Sequence, residues 1–335
     1  MKRVPPTLVR RFVLAPLVVV LDVLLLALSP LLFLLAAVVG PFLGGTRALR
    51  ATYVLVAYAA RHLQAVLALF ALWVRSGFGR RLPAEAMQEA HYEVMRRFVS
   101  GIYRAMTRAA RVEVRTDESE EARRALSEGD RPVVVLSRHA GEGDTFLVIH
   151  QLLCRHGRRP RVVMHEALQL DPLIDVLGAR LPHRFVDPRG GDTEVEIAAM
   201  ARELDAAAAV VIFPEGANFS EEQRRRGIAR LERGGHDRQA EVARAMRHVS
   251  APRPGGTLAA IEAAHEADVV IMGHAGFPTG LAEAWRLLPE RQTIEVKLWH
   301  EPAETIPADR GERIAWLFDR WRRLDAWVEE RGRAT

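Results

Sequence analysis

The stretch Val133–His150, VVVLSRHAGEGDTFLVIH, begins with a run of β-branched and aliphatic residues and continues into a helical pattern. A short apolar run is typical of a strand buried on both faces, and a helix directly after it is typical of a βα unit. Between the two, Gly141 and Gly143 predict a tight turn, because glycine accepts backbone angles that other residues avoid. The stretch therefore predicts an α/β fold.

The same stretch places His139 and Asp144 in an H-x4-D arrangement at the predicted turn. Residues five apart lie about 140° from each other around a continuous helix, so only a turn lets these two side chains meet. We expect Asp144 to cap the new helix beside the imidazole. One interpretation is a general base oriented by a carboxylate, and the other is an ordinary capped turn with a solvated histidine.

Short apolar runs continue to alternate with helical patterns along the chain. Strands are predicted near residues 132–137, 161–165, 183–187, 208–213, 268–273 and 292–298. This alternation predicts a mixed, largely parallel sheet covered by helices. The fourth of these strands ends in Phe213-Pro214-Glu215-Gly216, and open α/β sheets place their binding sites at such strand ends.

These motifs resemble those of the PlsC-like 1-acylglycerol-3-phosphate and lysophospholipid acyltransferases. His139 and Asp144 match the family's H-x4-D, Phe213–Gly216 match its third motif, and Arg189 in FVDPRGG is similar to its arginine-bearing second motif. Residues 247–256 and 306–325 are similar to the fourth motif and closing helix of the long-loop branch, which contains lysophosphatidic acid and lysocardiolipin acyltransferases. The resemblance thus runs from about residue 130 to about residue 330.

The chain departs from the family pattern at three places. Arg138 and Gly141 stand where the family usually has Asn and Ser. Ala217-Asn218 follows FPEG where Thr-Arg is usual, and Pro254 to Gly256 replace a segment that often carries Lys. The first two departures concern the acceptor and leave the His-Asp pair intact.

The resemblance implies transfer of a fatty acyl group from a thioester, acyl-CoA or acyl carrier protein, to a lysophospholipid hydroxyl. The expected acceptor is 1-acylglycerol 3-phosphate and the product phosphatidate, with His139 as general base and Asp144 orienting it. Glycerol 3-phosphate, another lysophospholipid or a phosphoglycolipid stays open as the acceptor. The alternative of another class is a non-catalytic membrane lipid-binding protein on the same fold. Neither a metal nor a cofactor is implied, since the thioester is a co-substrate.

Four further residues are candidates for binding the acceptor or a phosphate. The resemblance places Glu215 and Gly216 at the acceptor, although a structural role for Glu215 stays open. Arg138 and Arg253 are candidates for binding phosphate, which for Arg253 is either the acceptor's or the donor's.

Arg189 is the main candidate for the acceptor phosphate, because a guanidinium meets phosphate bidentately. Its alternative is a surface salt bridge with Asp187 or Asp192.

Composition adds a preference for anionic surfaces. The 335 residues carry a net charge of +5, and all basic residues except Lys2 and Lys297 are arginines. That charge suits phosphate or a membrane surface, and nucleic acid is not an expected partner. The single Cys154 excludes an intrachain disulfide, and no H-E-x-x-H, Walker A or G-x-S-x-G motif supports metalloprotease, P-loop or α/β-hydrolase chemistry.

The N-terminal third predicts a membrane anchor. The apolar segment Phe12–Leu43 is interrupted by Ser29-Pro30, and arginines flank both of its ends, which favours a re-entrant hairpin over a single span. Ala51–Val74 predicts a second apolar helix that lies at the interface or packs on the protein. Residues 83–110 predict an amphipathic helix whose apolar stripe packs on the protein or faces lipid.

The expected organisation is membrane-associated helices in 1–80, an amphipathic helix and connection in 81–130, and an α/β domain in 131–335 with an arginine-rich insertion at 217–256. The expected location is the cell membrane, with the protein monotopic and its catalytic domain on the cytoplasmic side. The expected partners are the bilayer, the acyl thioester donor and a phosphate-bearing acceptor.

Overall fold

The strand that begins the quoted stretch lies inside a seven-stranded sheet of the computed structural model, which describes residues 4–141, 143–187, 191, 193–202, 204–278 and 280–332. In chain order the strands are β1 (Val112–Glu118), β2 (Val133–Ser137), β3 (Arg159–His165), β4 (Arg184–Val186), β5 (Ala208–Ile212), β6 (Asp268–Ala275) and β7 (Gln292–Glu301). Across the sheet their order is β1-β7-β6-β2-β5-β3-β4. The strands from β6 to β4 run parallel, whereas β7 pairs antiparallel with β6.

Burial of the strands follows their position in the sheet. All five residues of β2 and all five of β5 are buried, which is the pattern of central strands covered on both faces. β1, at one edge, alternates between half-buried and exposed residues. The predicted fold class, a mixed and largely parallel α/β sheet with helices around it, is confirmed.

All six predicted strands are present, with bounds within three residues of those predicted. β1 is the strand that the sequence pattern did not predict, because only Val112 and Val114 are apolar in VEVRTDE. It lies in the segment 81–130, for which a helix and a connection were predicted, so strand structure begins before residue 131.

The chain forms two compact units. Unit 1 comprises Met1–Val112, Val163–Gly190 and Trp285–Arg291, and unit 2 comprises Glu113–Val162, Gly191–Ala284 and Gln292–Thr335. Each unit combines stretches that are far apart in sequence, whereas the predicted domains are continuous segments. The bounds 1–80, 81–130 and 131–335 stay a prediction.

The helices of eight or more residues, together with two shorter ones, are labelled here in chain order. They are α1 (Ala15–Ala27), α2 (Ser29–Val39), α3 (Arg47–Arg75), α4 (Glu85–Ala110), α5 (Glu120–Ser127), α6 (Asp144–Ile149), α7 (Pro172–Arg180), α8 (Thr193–Arg202), α9 (Glu221–Arg233), α10 (Asp237–Ala245), α11 (Pro254–Ala263), α12 (Leu281–Leu287) and α13 (Arg310–Gly332).

Close packing in unit 2 depends on small and aromatic residues. α8 and α11 pack against each other, and a Cβ atom at Gly256 would lie 2.7 Å from Ile197 Cδ1, so glycine permits this approach. α13 buries Trp316, Trp321 and Leu324 in the core. The aromatic and leucine side chains of α13 thereby fix the C-terminal helix to unit 2.

The N-terminal helices of unit 1 have the form expected of a membrane-associated segment. Thr7–Ala27 and Ser29–Leu43 are bent by 58° relative to each other, so the break falls at the predicted Ser29-Pro30. α3 is long and apolar enough to cross a membrane. Large apolar side chains of this region are exposed, among them Leu17, Leu24, Leu31, Leu34, Val38 and Phe42.

Polar residues within this apolar region have partners in unit 1. His62 on α3 is buried, and its Nδ1 lies 2.6 Å from Asp22 Oδ2 on α1. Its Nε2 lies 3.4 Å from Asp171, which caps the N-terminus of α7. Arg10 donates to Asp175 on α7 at 2.8 and 3.0 Å. Arg10, Asp22 and His62 are therefore compensated by contacts within unit 1.

α4 is the predicted amphipathic helix. Val94, Phe98 and Ile102 of its apolar stripe are buried, and the Phe98 ring contacts Tyr58 of α3 edge-on at 5.9 Å between centroids. These contacts support the interpretation that the stripe packs on the protein.

Candidate active site

The two sequence motifs meet at one edge of the sheet in unit 2. β2 lies between β5 and β6, and all three strands run parallel, so their carboxyl ends lie side by side. His139 follows the end of β2, and Phe213–Gly216 follow the end of β5. This is the edge at which parallel α/β sheets place their binding sites.

His139 and Asp144 contact each other as predicted. The imidazole Nδ1 lies 3.1 Å from each carboxylate oxygen of Asp144. Because a carboxylate only accepts, Nδ1 carries the proton in this arrangement and Nε2 keeps its lone pair. Within the described residues Nε2 has no hydrogen-bond partner, and the side chain is 21% exposed. A neutral His139 can therefore accept a proton at Nε2 from a bound molecule.

The turn between the two residues differs in one detail from the prediction. Gly143 occupies the N-cap position of α6 with φ 95°, and Asp144 is the first residue of the helix, so the prediction that Asp144 caps the helix is wrong. The Asp144 carboxylate instead accepts the N–H groups of Ala140 at 2.7 Å and Gly141 at 3.2 Å. These bonds fix the carboxylate to the turn that carries His139.

Asp144 is fully buried and ionised. Burial works to raise the pKa of its carboxyl, but the contacts with His139 and His274 outweigh it and hold that pKa below its usual range. A carboxylate that stays charged can both orient the imidazole and stabilise the imidazolium that forms when His139 takes a proton.

The FPEG motif, which follows β5, lies beside His139. The Phe213 ring lies 4.5 Å from the imidazole, centroid to centroid, tilted by 31°. The backbone N–H of Phe219 donates to the carbonyl oxygen of His139 at 2.7 Å. Gly216 has φ 72°, and a Cβ atom there would lie 3.0 Å from Arg253 Nε, so the Arg253 side chain lies against its open face.

Glu215 holds two loops together. Its Oε1 accepts the backbone N–H of His139 at 3.0 Å, and its Oε2 accepts that of Ser250 at 2.7 Å. Burial raises the pKa of Glu215 to about 7, although these two N–H groups and the charge of Arg138 act in the opposite direction. Both carboxylate oxygens are thus engaged inside the protein, which favours the structural alternative over direct contact with an acceptor.

Arg138 is a buried internal cation. Its guanidinium donates to the carbonyl oxygens of His274 at 2.7 Å and His248 at 2.8 Å. Burial lowers its pKa, whereas the charges of Glu215, Asp144 and Asp325 act to raise it. This environment favours charge balance and loop bracing over the predicted phosphate contact.

The remaining predicted phosphate ligands differ in their placement. Arg253 is exposed beside Gly216, and its backbone N–H donates to the carbonyl of Pro214 at 2.7 Å. Arg189 and Asp192 lie outside the described residues, so the Arg189 assignment stays a prediction. In the insertion at 217–256, the exposed Arg226 pairs with Glu222 on α9, which fits a solvated helix face. Arg224 is mostly buried instead, and donates to the carbonyl oxygens of Met246 at 2.6 Å and Arg244 at 2.9 Å.

Three residues of the site were not identified from the sequence. His274 on β6 is fully buried beside Asp144, with its Nε2 3.6 Å from Oδ2. Asp325 on α13 accepts the backbone N–H groups of Arg247, His248 and Val249 at 2.9, 2.6 and 3.1 Å through Oδ1. Ser250 donates its N–H to Glu215. For Asp325 and Ser250, the sequence did contain a signal, since residues 247–256 and 306–325 are both similar to one family branch. Asp325 connects these two segments in the structure.

No cluster of three or more His, Cys, Asp or Glu side chains in the described ranges is arranged to hold a metal ion.

Comparison with known proteins agrees with this geometry. Residues 111–275 match the family model described as Acyltransferase. The matched residues extend from just before β1 to the end of β6 and include His139, Asp144 and Glu215. Residues 111–275 therefore form an acyltransferase domain, and the protein is an acyltransferase enzyme of the glycerolipid type. No curated protein matches the chain.

Proposed function

We propose that this protein is a membrane-bound O-acyltransferase that moves a fatty acyl group from a thioester to the hydroxyl of a lysophospholipid. The proposed acceptor is 1-acylglycerol 3-phosphate and the proposed product is phosphatidate. The donor is acyl-CoA or an acyl carrier protein thioester. The observation that carries the proposal is the contact of His139 Nδ1 with the buried Asp144 carboxylate, which leaves Nε2 as the proton acceptor.

In the proposed reaction, His139 Nε2 takes the proton of the acceptor hydroxyl as its oxygen attacks the thioester carbonyl carbon. The new C–O bond forms, and the tetrahedral intermediate then expels the thiolate with cleavage of the C–S bond. The imidazolium returns its proton to the thiolate, so a free thiol and an ester are released. Asp144 stabilises the imidazolium meanwhile, and no acyl-enzyme is required.

Acceptor binding is proposed to involve phosphate contacts at Arg189 and Arg253. Arg253 is exposed beside Gly216, where its guanidinium can reach a bound anion. Glu215 contributes by fixing the His139 and Ser250 loops, since both of its oxygens already accept backbone N–H groups. Gly216 contributes by leaving room for that Arg253 side chain.

We also propose that this protein belongs to the long-loop branch of the family. Arg138 and Glu215 both contact the segment at 247–256, so the residues similar to that branch's fourth motif are bonded to the catalytic loop. Asp325, in the segment similar to its closing helix, accepts three N–H groups from the same loop. These contacts support a role for both segments in the site.

We further propose that the N-terminal segment enters the membrane as a re-entrant hairpin on the cytoplasmic side. Its support is the 58° bend, the exposed leucines on α1 and α2, and the pairing of Arg10 with Asp175. Asp175 lies within the acyltransferase match, so the start of the segment is bound to residues of that domain.

The proposed function is tested by measuring thiol release from the purified protein with acyl-CoA and acyl carrier protein thioesters of several chain lengths. Each donor is combined with lysophosphatidate, other lysophospholipids, glycerol 3-phosphate or a phosphoglycolipid, and the product is identified by mass spectrometry. We expect release that depends on lysophosphatidate and yields phosphatidate. Transfer only to another acceptor would replace the acceptor assignment, and the absence of transfer to all of them would contradict the proposed function.

A further inference from the structure

His274 occupies a position next to both members of the catalytic pair, although it belongs to a different strand. It is the seventh residue of β6, which pairs in parallel with β2, and its side chain is fully buried. Its Nε2 lies 3.2 Å from the carbonyl oxygen of Arg138, the residue before His139. The same nitrogen lies 3.6 Å from Asp144 Oδ2, an oxygen of the carboxylate that also contacts the His139 imidazole.

The tautomer of His274 follows from these contacts. A carbonyl oxygen and a carboxylate oxygen only accept, so the proton lies on Nε2, which is within hydrogen-bond distance of the Arg138 carbonyl. Nδ1 is buried and has no partner in the described residues, as fits an unprotonated nitrogen in a neutral ring. Burial lowers the pKa of His274 and keeps the ring neutral, while Asp144 acts in the opposite direction.

His274 and Arg138 also bond to each other in both directions. The Arg138 guanidinium donates to the His274 carbonyl at 2.7 Å, and the His274 imidazole donates to the Arg138 carbonyl. This reciprocal pair ties the end of β6 to the first residue after β2. His139 is the next residue, so its backbone position depends on the pair.

We propose that His274 is a positioning residue for acyl transfer, which holds the His139 loop through the Arg138 carbonyl and directs an N–H dipole at Asp144. This inference rests on the proposed role of His139 as general base. Because His274 is completely buried, it acts through Arg138 and Asp144 and does not touch a substrate.

Three substitutions distinguish the loss of the Nε2–H donor from the loss of the ring's volume. His274→Phe keeps a planar ring without a donor, His274→Gln can place an amide N–H near the position of Nε2, and His274→Asn places it near that of Nδ1. Met272→Leu, at a fully buried residue of the same strand, is the matched control for disturbance of the core. Folding of each variant is checked by thermal unfolding and circular dichroism.

We expect His274→Phe to lower kcat by about 10- to 100-fold with both KM values within twofold of the wild type, since misplacement of a catalytic group by about 1 Å has effects of this size. His274→Gln should recover most of the loss, whereas His274→Asn should not. The acid limb of the pH–rate profile should move to higher pH in His274→Phe, because Asp144 without the nearby Nε2–H dipole attracts the His139 imidazolium more strongly. It should not move in His274→Gln.

Wild-type kcat in a folded His274→Phe variant would overturn the inference, as would equal losses in the Phe and Gln variants. If His274→Phe does not fold, the comparison of His274→Gln with His274→Asn decides, and equal activity of those two overturns it. Absence of turnover in the wild type would count against the proposed function. Normal wild-type turnover with an unaffected His274→Phe variant counts against the positioning role alone.

Discussion

Asp144, Glu215 and Asp325 are buried carboxylates that accept backbone N–H groups of the site loops. Each of the three accepts at least two such groups, and Arg138 is the cation that faces all of them. Bonds of this kind are stronger than neutral ones, and a buried charge that lost them would be costly. Loop positions in the site are therefore fixed by side chains that never meet substrate.

Arg189→Ala should raise KM for a phosphate-bearing acceptor and leave KM for the acyl donor unchanged. A charge-assisted contact is worth about 1.5–3 kcal/mol, which corresponds to a change of roughly 10- to 150-fold. Steady-state kinetics in both substrates measure this, with the exposed Arg225→Ala as the control. A rise in the donor KM instead would assign Arg189 to the donor site.

Glu215 should make stability depend on pH. Its pKa is raised from 4.5 to about 7 in the folded protein, so the unfolded chain loses this proton at lower pH than the folded one. As pH rises from about 4.5 to about 7, this residue should lower the free energy of unfolding, by an amount on the order of 1–3 kcal/mol. Below about 4.5 its contribution is constant.

Urea unfolding of the wild type and of Glu215→Gln between pH 4.5 and 8 measures this effect, because the amide does not titrate. The difference between the two unfolding free energies should change with pH in the stated direction. Glu312→Gln, at an exposed residue, should give a difference that is constant with pH. A constant difference for Glu215→Gln would show that its pKa is not raised.

Sequence reasoning found the His139 and Asp144 pair because both members lie in one short motif with a necessary turn between them. It did not find His274 or the internal role of Arg138. Their partners are 136 residues apart in the chain, and a lone histidine in an apolar strand carries no local signal. A long-range contact of this kind depends on the strand order, which the sequence pattern does not specify.

At the level of elements, the site depends on loops braced by neighbouring strands and by α13. The loop that contains His248 and Ser250 accepts a bond from Arg138 and donates bonds to Glu215 and Asp325. Strand prediction succeeded where apolar runs are continuous, as in β2 and β5. It missed β1, since an edge strand with polar residues on one face has little apolar signal.

Asp325→Ala should destabilise the protein and slow turnover together. Three backbone N–H groups of residues 247–249 would lose their acceptor, and each unsatisfied buried donor costs about 1–3 kcal/mol before relaxation. We expect a loss of about 2–4 kcal/mol in unfolding free energy and a lower kcat. Glu330→Ala, at an exposed position of the same helix, is the control and should change neither quantity. Wild-type stability in Asp325→Ala would contradict the bracing role.

Across the whole molecule, the membrane topology of the N-terminal apolar helices is the feature that the sequence determines least. Both a span and a hairpin satisfy the length and hydropathy of residues 7–43, and the flanking arginines, the bend and the polar pairs favour the hairpin. Asp22 in the apolar stretch is explained by His62, a contact 40 residues away that composition does not indicate.

The single substitutions Thr7→Cys, Ser29→Cys and Thr46→Cys, each in a Cys154→Ser background, test the membrane topology of the N-terminal segment. On sealed right-side-out vesicles treated with an impermeant reagent, Thr7Cys and Thr46Cys should both stay unlabelled until the vesicles are opened. Glu330→Cys, exposed on α13, is the control for the side on which the α/β sheet lies. Labelling of Thr46Cys in sealed vesicles would show that the segment crosses once and that the hairpin is wrong.

The kcat of His139→Ala, measured for acyl transfer to the acceptor that the wild type uses, shows whether His139 is the general base. Loss of a general base lowers the rate by about 10²- to 10⁴-fold, and Asp144→Asn should lose nearly as much, since the tautomer is no longer fixed. Folding and membrane association should be unchanged, and the exposed His265→Ala should keep wild-type turnover. More than half of the wild-type turnover in His139→Ala would show that His139 is not the general base.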